Sequence, residues 1–314
     1  MKQVYYLKNA LKFLVPNCWY RNKASNILKA YESSKDTYIE DRVNYYNKLT
    51  SSFTLPESEN EFKKEKNIPR TLKIKNFKKY EGTTYFFDIL DIIRHFSQEL
   101  RFRYEAGDVT YVPELPTFIK SRPVSNNDNS IVLKLNKVRH FNFINDTLSF
   151  DEKKDMAVWR GAALVPQRKQ VVEKFYNHPL CNIGQVSPIE GNPWEKEFLS
   201  IEDQLKYKFI ICLEGNDVAT NLKWAMSSNS LCILSKPKYE TWFMEGRLVA
   251  GKHYVEVKDD YSDLPEKIQY YIENPEEAKV IIKNAHEWVE QFKNERRELL
   301  ISLLVVDKYF NYSQ

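Results

Sequence analysis

The chain's 314 residues, 42% apolar and 29% charged, have the balance of a soluble globular protein and suffice for one large or two ordinary domains. No apolar run approaches the ~18 residues a membrane span needs, and four cysteines without paired spacing exclude a disulfide framework or a zinc site. The net charge of +4 is unevenly placed, since residues 1–82 carry 17 Lys and Arg against 9 Asp and Glu, and the remainder 30 against 34. A basic front suits an anionic membrane or a phosphorylated acceptor, and equally a lysine-rich solvated surface.

In chain order, residues 3–14 read as a helix with Val4, Leu7, Leu11 and Leu14 on one stripe and Pro16 as its stop. Lys8, Asn9 and Lys12 interrupt that segment, so no secretory signal is expected and the protein is expected to be cytoplasmic. Helical patterns follow at 22–32 and 38–49, then a polar stretch at 51–67 that breaks regular structure. Residues 85–93 are strongly apolar, and 94–103 carry helix spacing. Short strands are expected at 109–112, 118–120 and 131–135, punctuated by Pro113, Pro116 and Pro123. From about 150 the pattern alternates. Strands are expected at 156–160, 181–186, 209–213, 231–234 and 254–257, with helices at 167–177, 201–206, 262–273 and 275–291. Such alternation predicts a doubly wound α/β domain. A last apolar helix, about 295–310, has no strand after it and could pack back on the first half.

The densest signal lies in residues 206–235. There an apolar strand meets the polar turn Glu214-Gly215-Asn216-Asp217, then a helical segment with Ala219, Leu222 and Met226 on one face, then a second strand. This is a βαβ unit, in which ligands sit beyond the strand's carboxyl end. Asp217 reads as the helix N-cap. Neither a GxGxxG loop nor a Walker loop occurs, so phosphate binding would rest on helix N-termini and side-chain cations. Two places offer these: Arg160-Gly161-Ala162 at a strand end with Arg168 a helical turn later, and Glu214 to Lys223. Arginine matches a diphosphate bidentately and lysine acts as a point charge. Arg160 fits a structural ion pair equally well. Asp108 sits in a turn before the proline-punctuated strands, a place for a general base or for a backbone cap. The five histidines lack ligand spacing, no DxD pair falls in a strand-end loop, and no nucleic-acid-binding motif is present.

The blocks Ala157-Val158-Trp159-Arg160-Gly161-Ala162, Arg168, Tyr207-Lys208-Phe209, Leu213 through Trp224, Ser227-Ser228, Glu240-Thr241-Trp242 and His253-Tyr254-Val255 together resemble glycosyltransferase family 90. Residues 116–123 and 129–140 match its bacterial, lipopolysaccharide-type branch. The resemblance implies a GT-B-like α/β fold of two Rossmann-like domains. The first would span residues 1–150 on the acceptor side and the second 151–294 on the donor side, with the 295–314 helix returning to the first. It implies metal-independent, inverting transfer from a UDP-sugar, glucose or xylose, with no cofactor. The acceptor would be a glycan or glycolipid such as lipopolysaccharide core, with peripheral contact at the inner membrane face and no nucleic acid as partner. Asp108 would be the base. Arg160, Gly161, Ala162, Arg168, Glu214, Gly215, Val218, Ala219, Thr220, Asn221 and Lys223 would bind the donor. Lys120, Arg122 and Arg139 are candidate acceptor or additional phosphate contacts. The chain departs from the Rumi-type branch of this family, which has serine where Ala162 stands and arginine where Glu214 and Asn221 stand. A non-catalytic glycan- or membrane-binding protein on a degenerate transferase fold is the rival reading.

Overall fold

A computed structural model describes residues 2–56, 62–63, 68–69, 71–80 and 82–314. Much of the polar stretch at 51–67 lies outside the described residues. Contacts divide the chain into two compact units, Met1–Arg139 with Tyr239–Phe243 and Asn294–Gln314, and His140–Lys238 with Met244–Lys293.

The second unit is α/β and built on five parallel strands, Lys154–Ala162, Cys181–Ser187, Tyr207–Ile211, Leu231–Ser235 and Val255–Val257. Numbered by their order in the chain, they lie side by side as 2-1-3-4-5. Apolar runs without alternation become strands covered on both faces, and Tyr207–Ile211 and Leu231–Ser235 are buried at every position. Their register sets Phe209 beside Leu231 and Ile211 beside Ile233. Val171, Val172 and Phe175 of helix Pro166–Phe175, Leu264 and Ile268 of Leu264–Glu273, and Ala278 and Ile281 of Pro275–Glu290 join the same core. The chain runs from the first strand outward to the second, then returns past the first to the third. With right-handed crossovers, the connections after strands one and three leave on opposite faces. A crevice therefore opens between the carboxyl ends of those two strands.

One expected element is shorter than its pattern. The helix between the third and fourth strands spans only Leu222–Met226. Val218 and Ala219 are buried at 2% exposure in the loop before it. Asn221, not Asp217, stands at the cap position, and no side chain caps this helix.

The first unit combines helices Lys2–Leu11, Asn17–Glu32, Thr37–Tyr46, Thr83–Ile93 and Glu295–Tyr312 with strands of two or three residues. Among the described residues it holds no extended parallel sheet, so the Rossmann-like form expected of it is not seen there. Its strands pair two at a time, as in Thr117–Ile119 with Ser130–Val132 and Ser121–Pro123 with Tyr239–Thr241. Proline at 113, 116 and 123 removes ladder donors and keeps these strands short. The helix expected over 94–103 is instead a turn and the strand Arg101–Arg103, whose Phe102 is buried between half-exposed neighbours. That alternation has period two, and it prevailed over the helical spacing. Residues 109–112 form no strand.

The closing helix Glu295–Tyr312 buries Ile301, Val305, Val306 and Tyr309. Its Glu298 carboxylate accepts from Arg42 at 2.6 Å, Trp242 Nε1 at 2.6 Å and Lys134 at 3.1 Å. Trp242 stacks on Tyr46 with ring centroids 3.9 Å apart. One carboxylate thus ties three chain-distant segments of this unit, and its burial is tolerable because every donor around it is matched.

His95 gives the unit a pH dependence. It lies edge-on to Tyr20 at 5.1 Å, and its Nδ1 is 3.2 Å from the Ile92 carbonyl. Burial pushes its pKa down from 6.5 to about 4, against a smaller opposing pull from Asp91. The unfolded chain therefore binds more protons than the folded one between those values, and stability falls as pH drops through that window. The loss reaches roughly 3 kcal/mol once both states are protonated. Urea unfolding from pH 7 down to 4 should show this slope in the native chain and a flatter one in His95→Phe.

Candidate functional site

One side chain, Arg168, bridges the carboxyl ends of strands one and three. Strand one ends at Arg160-Gly161-Ala162, and helix Pro166–Phe175 begins four residues later with proline at its first position. Arg168 therefore lies in the first turn of that helix. Its Nε donates to the Glu214 carbonyl at 2.9 Å, Nη2 to Leu213 at 2.8 Å and Nη1 to Ala162 at 3.3 Å. The guanidinium also lies 5.8 Å from the Trp159 ring centroid. Carbonyls from two separate strand ends thus hold one positive charge at the switch point, half-buried and fixed in orientation.

Glycines make room for Arg168 and for the Trp159 ring beside it. A Cβ at Gly215 would stand 3.0 Å from Arg168 Nη2, and one at Gly161 would stand 2.6 Å from Trp159 Cζ2. Glu214 is 6% exposed, and its carboxylate accepts from the Lys238 backbone N–H at 3.1 Å. The Asn221 amide donates to the Ile211 carbonyl at 2.9 Å, closing the loop back onto strand three. Thr220 is half-buried, whereas Val218 and Ala219 are interior. Of the expected donor residues, Ala162, Arg168, Glu214 and Gly215 come together directly. Asn221 joins them through the backbone of strand three.

Other expected residues are committed elsewhere. Lys223 is fully buried and ion-paired with Glu245, itself 1% exposed. All five residues of its short helix face the interior, so its ammonium is not presented to a ligand. Arg160 donates to the carbonyls of Glu197, Trp159 and Asn182 and to Asn182 Oδ1, a structural role built on neutral acceptors and not on the ion pair considered for it. In the first unit, Arg122 is fully buried against Glu240 at 2.7 Å and the carbonyls of Tyr45 and Ser130. Lys120, 2% exposed, pairs with Asp108 at 2.6 Å, leaving the Asp108 side chain one-third exposed. Arg139 is exposed. Sequence reasoning passed over Lys238. It is half-exposed just beyond the fourth strand, at the same carboxyl edge as Arg168, and paired with Asp259 at 3.1 Å. Its signal was a lysine three residues past a buried strand end.

Comparison with known proteins follows from this arrangement. Residues 133–297 match the model of "Glycosyl transferase family 90". The chain is 45% identical to O-glucosyltransferase LpsA of Dichelobacter nodosus, across 98% of this chain and 94% of that protein. It is 30% identical to human protein O-glucosyltransferase 3, across 51% of this chain and 33% of that one. The protein is a glycosyltransferase, which sets aside the reading as a non-catalytic binder. It belongs to glycosyltransferase family 90.

The Lys223–Glu245 pair has a direct stability test. Removing one partner leaves a buried uncompensated charge, so Lys223→Met should cost about 3–5 kcal/mol in denaturant unfolding. Adding Glu245→Leu should restore most of that loss, because a buried ion pair replaced by apolar side chains of similar volume is often neutral.

Proposed function

We propose that the protein moves glucose from UDP-glucose to a hydroxyl of a glycan acceptor, with inversion at the anomeric carbon and without a metal. The observation that carries this reading is the Arg168 guanidinium, fixed on the carbonyls of Ala162, Leu213 and Glu214 at the switch point of a parallel sheet. A fixed arginine there is preorganised to stabilise the charge that develops on a leaving diphosphate. Glucose is favoured over xylose because both relatives above are named glucosyltransferases. The second unit is read as the donor-binding half of a GT-B-like enzyme. Lys238 takes the place first given to Lys223 as the further cation for the diphosphate, its ammonium half-exposed at the same sheet edge.

In the proposed step the acceptor oxygen attacks C1 of glucose from the face opposite UDP. The C1–O bond to the diphosphate breaks, and the hydroxyl proton passes to a carboxylate. Asp108 is the proposed base, held by the ion pair to Lys120 while part of its side chain stays open to solvent. A lipid-linked surface glycan such as lipopolysaccharide core is the proposed acceptor class.

Calorimetry with UDP, GDP and CMP, and turnover with UDP-glucose and UDP-xylose in EDTA, test the reading together. Binding should be confined to UDP, and transfer should be faster with UDP-glucose. No heat with UDP, or activity only on adding Mn²⁺, would sink it. Arg168→Lys keeps the charge but loses the planar fork, so UDP affinity should fall about 10- to 100-fold. Asp108→Asn can still accept from Lys120, so UDP affinity should persist while turnover drops about 10²–10⁴-fold. Normal turnover in that variant would place the base elsewhere.

A further inference from the structure

Helix Lys2–Leu11 is mounted with its apolar side outward. Val4 is 55% exposed, Leu7 63%, Leu11 54% and Leu14 80%, and their spacing puts them on one stripe. Trp19, just into the next helix, is 52% exposed. A surface helix ordinarily turns such a stripe to the core. Here the inward contacts are made by other residues: Tyr5 donates to Asp88 at 2.7 Å, Lys12 pairs with Asp91 at 2.7 Å, Asn9 is buried, and the Tyr5 and Tyr6 rings meet Phe87. The end of the segment is clamped by Arg94, which donates to the carbonyls of Lys12 and Val15 at 3.0 Å each. Asp88, Asp91 and Arg94 are fixed points of the unit, so the orientation is built in.

Charge decides what covers the stripe. Lys2, Lys8, Lys12, Arg21, Lys23 and Lys29 fall within the first 31 residues, which contain no Asp or Glu. Lys8 and Lys23 are exposed, and the Lys23 ammonium lies 5.3 Å from the Trp19 ring centroid. Exposed leucines and an interfacial tryptophan with a basic surround are the composition of a helix that lies in the headgroup plane of an anionic bilayer. A second copy of this chain would bring the same excess of positive charge against itself. No helix among the described residues is long and apolar enough to cross a membrane, so this contact would lie on the surface. We infer that helix Lys2–Leu11 with the turn to Trp19 is a docking surface for an anionic lipid bilayer. The inference rests on the helix alone and does not depend on the donor or the reaction proposed above.

Flotation of the full chain with vesicles of phosphatidylcholine, alone or mixed with phosphatidylglycerol, tests it without any nucleotide. The native chain should float with the mixed vesicles, less with the neutral ones, and less as salt rises. Leu7→Glu combined with Leu11→Glu should weaken vesicle binding at least about tenfold, with circular dichroism and melting unchanged because both side chains are exposed. Absence of binding to the mixed vesicles overturns the inference, as does equal binding by the double variant. A native dimer in sedimentation velocity that the double variant abolishes, without vesicle binding, would assign the stripe to a second copy and overturn it as well.

Discussion

Parallel strands that part company at a switch point leave carbonyls beyond the reach of their ladder, and the α/β unit depends on how those carbonyls are satisfied. Buried acceptors must find donors. At the ends of the first and third strands one arginine bonds the backbone of Ala162, Leu213 and Glu214, and Asn221 bonds that of Ile211. The same contacts that complete the sheet edge also fix a positive charge at its mouth. Structural and electrostatic roles coincide in Arg168. A lysine there could not span three carbonyls in two directions, because its ammonium lacks the planar fork.

Several buried cations in both units are spent on internal architecture. Lys223 is matched by Glu245, Arg122 by Glu240, Lys120 by Asp108 and Arg42 by Glu298. Except for the partly exposed Asp108, each pair takes two charges out of water and persists only where geometry and neighbouring hydrogen bonds compensate. Their common effect is to set segment positions within each unit, as when Arg122 joins Glu240 of strand Tyr239–Thr241 to the Tyr45 carbonyl. A cation's place in the sequence next to a phosphate-type turn therefore says little about whether its charge reaches a ligand. Side-chain direction decides that, and direction is set by burial.

The same distinction explains what could be read in advance. The five strands of the parallel sheet and helices Leu264–Glu273 and Pro275–Glu290 were legible because long apolar runs and 3.6-residue periodicity have few structural solutions. The turn at Glu214 and the arginine after the first strand were legible for the same reason, since strand ends in a βαβ unit are fixed by the strands. The contacts that make Arg168 a site were not, because its partners are main-chain carbonyls common to every residue type. The reading of residues 94–103 failed where a buried Phe102 between two arginines outweighed helical spacing. It failed again at Val218 and Ala219, small apolar residues suited to a helix face that pack instead as a buried loop. In the first helix the apolar stripe was visible and its direction was not. Only the polar inward partners Asp88, Asp91 and Arg94 show that it faces out.

The departures at Glu214 and Asn221 can now be weighed physically. Arginine stands at both positions in the Rumi-type branch, and losing two cations beside a diphosphate would be costly if the site relied on them. In this chain Arg168 is anchored to the Glu214 backbone carbonyl, which is indifferent to the side chain at 214. The Glu214 carboxylate is turned instead to the Lys238 N–H. That contact ties the backbone of the segment after the fourth strand to the turn, while the Lys238 ammonium pairs with Asp259. Asn221 in turn bonds the Ile211 carbonyl and holds the loop closed without a charge. In the proposed function the positive charge at the diphosphate would then rest on Arg168 and Lys238, with positions 214 and 221 supplying backbone order. If the proposed function holds, donor selectivity depends less on positions 214 and 221 themselves than on the placement of those two cations.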